Sequence, residues 1–155
     1  MGVAARSPIG VRSSSPTYAK RNTRAWGHWL GRYGEEAAAR YLIEAGYDLL
    51  ARNWMCRDPD LRGELDLVGR HRRTLVVFEV KTRAGGRLAH PAQAVTEEKL
   101  ARLRLLAVRW IKDYHRGSPL AVPLPPKMRI DVIAVRTEPR PPYSLQSLDH
   151  LVGVD

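Results

Sequence analysis

A single cysteine, Cys56, excludes an intramolecular disulfide and any cysteine-rich zinc centre, which suits a reducing compartment. The five histidines show neither H-x-x-x-H nor H-x-x-E-H spacing, so zinc-hydrolase helices are excluded and these residues read as surface or packing groups. There is no G-x-S-x-G elbow and no G-x-x-x-x-G-K-[ST] loop, which leaves serine hydrolase and P-loop chemistry unsupported. No apolar run approaches a membrane span, and the first residues lack the apolar core of a secretory signal. These absences predict a soluble, cytoplasmic protein. Acids are also scarce: 16 stand against 26 basic residues, for a formal charge of +10. A field of that sign favours phosphate-rich partners, chiefly nucleic acid, over neutral sugars or acidic small molecules. Charge alone does not separate a nucleic-acid enzyme from a ribosome-associated or membrane-surface protein.

What is present fits one domain, since 155 residues with 44% hydrophobic content can build a single core of ordinary size. Residues 1–24 contain no acid, several Ser and Pro, and Arg6, Arg12, Lys20, Arg21 and Arg24, the composition of a disordered basic arm. The folded domain is expected over 25–137. Prolines at 139, 141 and 142 mark 138–155 as an irregular tail, although Tyr143 to Val154 is apolar enough to dock back.

From about Trp26 to Ala45 the spacing is helical, with Leu30, Gly34, Ala37, Ala38, Tyr41, Leu42 and Ala45 in one stripe and Gly46 as a stop. Glu35 borders the stripe; Glu36 falls on the solvated side with Arg32 and Arg40. Tyr47 to Trp54 reads as a strand. Thr96 is placed as the N-cap of a second helix running to about His115, with Glu97 and Glu98 where the helix dipole favours acids. Its wheel sets Leu100, Leu103, Ala107, Trp110, Ile111 and Tyr114 on one face, and Arg102, Arg109, Lys112 and Arg116 on another. Met128 to Val135 alternates as a last strand. With the hairpin described next, the order is α-β-β-β-α-β: an α/β or α+β arrangement of a small mixed sheet covered by helices.

Between the first strand and the second helix, Gly63–Arg83 reads GELDLVGRHRRTLVVFEVKTR: two apolar runs about a basic turn. Period-two geometry places Glu64 with Asp66, and Glu79 with Lys81, on one side of a hairpin, leaving Leu65, Leu67, Val76, Phe78 and Val80 for the other. Acids held together repel and raise each other's pKa, so a fold keeps such a cluster mainly when a cation or a reaction requires it.

Four blocks occur in order: Gly-x-x-Gly-Glu at 31–35, Gly-Glu-Leu-Asp-Leu-Val at 63–68, Phe-Glu-Val-Lys-Thr-Arg at 78–83 and Arg-Ile-Asp-Val-Ile-Ala-Val at 129–135. Together, over roughly residues 27–137, they resemble the YraN-like family, which has the restriction-endonuclease-like fold of the PD-(D/E)XK nuclease superfamily. The resemblance implies Asp66 as the acid of the first motif, Glu79 as the acid of the second and Lys81 as its lysine. Glu35 matches the extra acid that some of these nucleases, including archaeal Holliday-junction resolvases, supply from the first helix. It further implies Mg²⁺ or Mn²⁺ held by Asp66 and Glu79, with Glu35 and the Val80 carbonyl as further ligands, and DNA rather than RNA as substrate. A resolvase-like activity would call for a homodimer.

The bland alternatives stand beside these roles. Glu79 and Lys81 taken alone would be an exposed pair worth about 0–1 kcal/mol, and Glu35 would pair with Arg40 or solvent. Glu64 and Asp131 are either site residues or structural acids, the latter salt-bridged to Arg129 on the same strand face. Arg83, Lys99, Arg102, Arg109 and Lys112 are phosphate contacts or a solvated face. Trp26, Trp29, Trp54 and Trp110 read as core rather than base-stacking platforms. The rival function is a nucleic-acid-binding or assembly protein that keeps the fold without catalysis.

Overall fold

The computed structural model describes residues 23–86, 95–117 and 123–155. Of the arm expected at 1–24, only Thr23 and Arg24 fall within these, and both belong to the first helix. The elements in chain order are α1 (Thr23–Glu44), β1 (Asp48–Cys56), β2 (Gly63–His71), β3 (Thr74–Ala84), α2 (Glu97–Gly117), β4 (Lys127–Thr137) and β5 (Leu145–Leu151). The order α-β-β-β-α-β holds, and a fifth strand extends it.

Local chemistry sets the helix ends. Gly46, at φ 84°, lets the chain turn back so that its N–H reaches the Ile43 carbonyl (3.1 Å) and the Tyr47 N–H reaches the Leu42 carbonyl (2.9 Å). That reciprocal pair closes a helix C-terminus and sets Tyr47 into the same core as Leu42. At the start of α2 the Thr96 hydroxyl accepts the Lys99 N–H at 3.1 Å, as an N-cap does.

The five strands lie in sequence order, β1-β2-β3-β4-β5, antiparallel except for the parallel pair β3 and β4. A parallel pair needs a long crossover, which α2 supplies. One cluster joins Ala37, Ala38 and Leu42 of α1 to Val76 and Phe78 of β3; the other joins Leu103, Leu106 and Trp110 of α2 to Leu75 and Val77. β3 is thus covered on both faces, which explains its unbroken run Leu75-Val76-Val77-Phe78. Tyr33, Ala39 and Leu106 are buried beyond the stripes read from the wheel, while Ala45 is exposed because α1 has already ended at Glu44.

Simple alternation fails at the start of β2. Leu65 and Leu67, two residues apart, lie in different clusters, Leu65 with α2 and Leu67 with α1. Their partners across the ladder are Trp54 and Arg52, and between these Asn53 takes a left-handed φ of 49°. That backbone reversal breaks the period of two in β1. β2 follows, and its pairing with β3 starts only at Leu67 opposite Phe78.

The segment after residue 137 is part of the domain, not an irregular tail. β5 pairs along β4 from Val132 to Thr137, and beyond it the Val154 N–H reaches the Ile130 carbonyl at 2.9 Å. The prolines lie in the connection before the strand, where Tyr143 is buried against a stack of Trp26 and Trp29. Cys56 is buried and unbridged. Among the described residues no helix is long and apolar enough to cross a membrane.

Candidate active site

β2 and β3 part beyond the Leu67–Phe78 pair, and Asp66 sits at the fork. Its Oδ2 accepts the Val80 N–H at 2.7 Å, so a side chain takes a β3 donor that pairing with β2 would otherwise use. Burial pushes the Asp66 carboxyl up to about 7, and the charges of Glu79, Glu35 and Glu64 add to that push against the opposing Val80 hydrogen bond. The carboxyl therefore senses all three other acids of the cluster.

Glu79 is only 3% exposed, and its Oε1 carries two ammonium groups: Lys81 Nζ at 2.6 Å and Lys99 Nζ at 3.3 Å. A carboxylate this buried is tolerable because it is paired. Lys81 is two residues on along β3, so alternation presents it beside Glu79; Lys99 comes from the first turn of α2. Sequence reasoning placed Lys99 only among the possible phosphate contacts.

α1 delivers Glu35 by close contact with β3. A Cβ on Gly34 would overlap the Thr82 hydroxyl, so glycine lets the helix press against the strand. Glu35 then accepts a hydrogen bond from Asn53 Nδ2 at 2.6 Å, and the same amide lies 3.5 Å from Glu64 Oε1. Glu36 faces away and pairs with Arg40 and Arg52 at 3.2 and 3.1 Å. The two adjacent glutamates have different surroundings, and the Arg40 alternative for Glu35 is met by Glu36 instead. Asn53 was missed in the sequence; its only signal was that Asn tolerates a left-handed φ better than most residues.

Asp131 is fully buried and held elsewhere. It takes Arg129 in a two-pronged grip (2.9 and 3.1 Å), His150 Nε2 at 2.9 Å and the Gly153 N–H at 2.9 Å. Burial pushes its carboxyl up, but the bonds from His150, Arg129 and Gly153 outweigh it and hold the pKa below the usual carboxylate value. Its role is to bind β5 and the C-terminal turn to β4. Among the candidate phosphate contacts, Arg109 is paired with Asp58 at 2.7 Å and Asp113 at 3.3 Å, tying α2 to the 57–62 loop. Arg83, Arg102 and Lys112 are exposed.

Residues 34–135 match the model of "Uncharacterised protein family UPF0102". The chain belongs to this family. The YraN-like resemblance is met in full at that level. Among UPF0102 relatives, the chain is 50% identical to one of Streptomyces coelicolor over 106 residues, 68% of this chain and 75% of the relative. It is 47% identical to one of Parafrankia over 110 residues, 70% and 83% of the two chains. A relative in Beutenbergia cavernae is 43% identical over 125 residues, 81% and 94% of the two. The UPF0102 match begins at Gly34, the residue that seats α1 on β3, and spans Glu35, Glu64, Asp66, Glu79, Lys81 and Asp131.

Among the described residues no three His, Cys, Asp or Glu side chains form a ready-made metal cage. Mg²⁺ does not need one, because it commonly binds through one or two carboxylates and completes its shell with water and phosphate. Asp66 and Glu79 supply hard oxygen donors, and the part of the Asp66 shift that neighbouring acids add to the larger effect of burial is one that a cation would relieve. The donor set therefore fits Mg²⁺ or Mn²⁺, with Glu35 within electrostatic reach.

Proposed function

We propose that this protein is a metal-dependent nuclease that hydrolyses DNA phosphodiesters, with branched or otherwise structured DNA as its substrate. The observation that carries the reading is Asp66: a carboxyl pushed to about 7 by burial and by three further acids, at a fork in the sheet. Asp131, with its cationic partners, is held down; Asp66 is raised first by burial and then by the neighbouring acids, and has no cation bound to its own oxygens among the described residues.

A divalent ion held by Asp66 and Glu79 would neutralise charge on the phosphate oxygens and make water a better nucleophile there. The chain's own residues do the rest. Glu79 fixes Lys81 at 2.6 Å, so the ammonium is oriented before substrate arrives. Lys81 would be placed to hydrogen-bond a phosphoryl oxygen as negative charge builds on it. Asn53 keeps Glu35 and Glu64 together on the α1 side, where Glu35 can orient a water.

A specific observation also favours the non-catalytic alternative: Lys81 and Lys99 already neutralise Glu79 without any metal. A cleavage panel separates the two, using single-stranded, duplex, flap and four-way-junction DNA and an RNA, with Mg²⁺ or Mn²⁺. The nuclease reading expects metal-dependent cutting that Lys81→Ala lowers by about 10²- to 10³-fold and that Asp66→Ala and Glu79→Ala abolish together with metal binding. Salt-dependent binding without cutting by the wild type establishes the alternative.

A further inference from the structure

Next to the acid cluster, the end of β1, the 57–62 loop and the start of β2 enclose an open groove of about 490 Å³, lined by Met55, Cys56, Arg57, Arg62, Gly63 and Glu64. We propose that this groove seats an unpaired nucleotide of the DNA strand that enters the acid cluster, an inference that rests on the nuclease reading and names the form of its substrate.

Three features converge on that occupant. The volume lies in the range of pockets that hold a small organic ligand, about 300–1,000 Å³. It suits a nucleotide rather than a helical stretch of duplex. Arg57 and Arg62 are exposed and have no ion-pair partner among the described residues, in contrast to Arg109, which is fully engaged. Free guanidiniums on a concave surface suit the phosphates on either side of a nucleotide. Met55 is 57% exposed at the same groove, and a polarisable thioether packs well against a ring face. Bases offer such a face only when unstacked.

The floor is built for close approach. A Cβ on Gly63 would come within 2.8 Å of a Leu106 methyl and 3.5 Å of Arg102 Nε, so the strand lies directly on α2 with a third arginine alongside. Glu64, also in the lining, contacts Asn53 at 3.5 Å and adds its charge to the field at Asp66. A nucleotide in the groove would therefore adjoin the cluster. Glu64 repels phosphate, which directs the phosphates toward the arginines and leaves the base and sugar near Glu64 and Met55.

The test measures binding without cleavage, by fluorescence anisotropy of a short labelled single strand and of the same sequence as a blunt duplex, in EDTA. Arg57→Gln combined with Arg62→Gln is expected to weaken single-strand binding at least ~10-fold and to flatten its log–log salt slope by roughly 1.4, two contacts at ~0.7 each. Met55→Ala is expected to weaken it roughly two- to tenfold, with a smaller effect on duplex. Arg72→Gln with Arg73→Gln removes the same charge from the exposed β2–β3 turn and is expected to leave the preference for single strand unchanged. If the groove pair behaves like the turn pair, or if single strand and duplex weaken equally, the nucleotide seat is refuted. A cleavage assay of the wild type with Mg²⁺ or Mn²⁺ keeps the two readings apart: binding without cutting overturns the nuclease reading, while the EDTA binding data judge the groove alone.

Discussion

A carboxyl with a pKa near 7 in the folded chain affects stability as well as chemistry. Asp66 rises from 3.8 to about 7 on folding, so between those values the folded state holds a proton that the unfolded chain has lost. Stability therefore falls as pH rises through that window and stays low above it. Asp66→Asn is expected to stabilise the metal-free protein at pH 8 by on the order of 2–4 kcal/mol, a gain that vanishes below about pH 4. Urea unfolding across pH measures it, and a gain independent of pH would show that the carboxyl's charge is not the cause. Metal affinity should run the other way, falling as acid protonates the ligand. Asp66, Glu79 and Lys81 were legible in the sequence because alternation displays them as a set. Asn53 and Lys99 were not, because a strand reversal and a contact between α2 and β3 exist only once the sheet is assembled.

Two elements are locked to the sheet by contacts that single substitutions can probe. Gly34→Ala would drive a methyl into Thr82, forcing α1 off β3 and carrying Glu35 with it. The expected loss is about 1–3 kcal/mol, partly recovered by Thr82→Gly. A double-mutant cycle in thermal or urea unfolding measures that coupling, and additive losses would place the strain elsewhere. At the other end, β5 is fastened through Asp131. His150→Ala removes one of its partners and is expected to destabilise by about 1–3 kcal/mol at neutral pH. Because Asp131's pKa is lowered by folding, the stability it contributes is present above about pH 4 and is lost as pH falls further. The His150→Ala deficit should shrink in strong acid; a deficit unchanged there would point to lost packing against Tyr47 and Phe78 instead. The first six elements follow from periodicity, a Gly stop and a Thr cap. β5 was hidden because three prolines precede it and its strand, Leu-Gln-Ser-Leu-Asp-His-Leu, gains its partners only from β4.

Across the whole molecule the excess of base is unevenly spread. Residues 1–22 contain Arg6, Arg12, Lys20 and Arg21 and no acid, so they contribute +4 of the +10, and +6 remains on 23–155. Since α1 begins at Thr23, a cut before that residue leaves every described element whole, including the Trp26 and Trp29 stack on Tyr143. A cut at 24 would enter the helix. Deleting 1–22 is therefore expected to leave the melting temperature unchanged while weakening duplex DNA binding. The log–log salt slope should flatten by up to about 3.6, if each of the four cations releases roughly 0.9 counterion. Turnover of a short substrate at saturating concentration should persist, because Asp66, Glu79, Lys81 and Glu35 all come from β2, β3 and α1. Titration at several salt concentrations, alongside cleavage of that short substrate, measures both quantities on one preparation. Loss of cleavage from a truncated protein that still melts normally would mean that the arm takes part in the chemistry rather than in the capture of DNA.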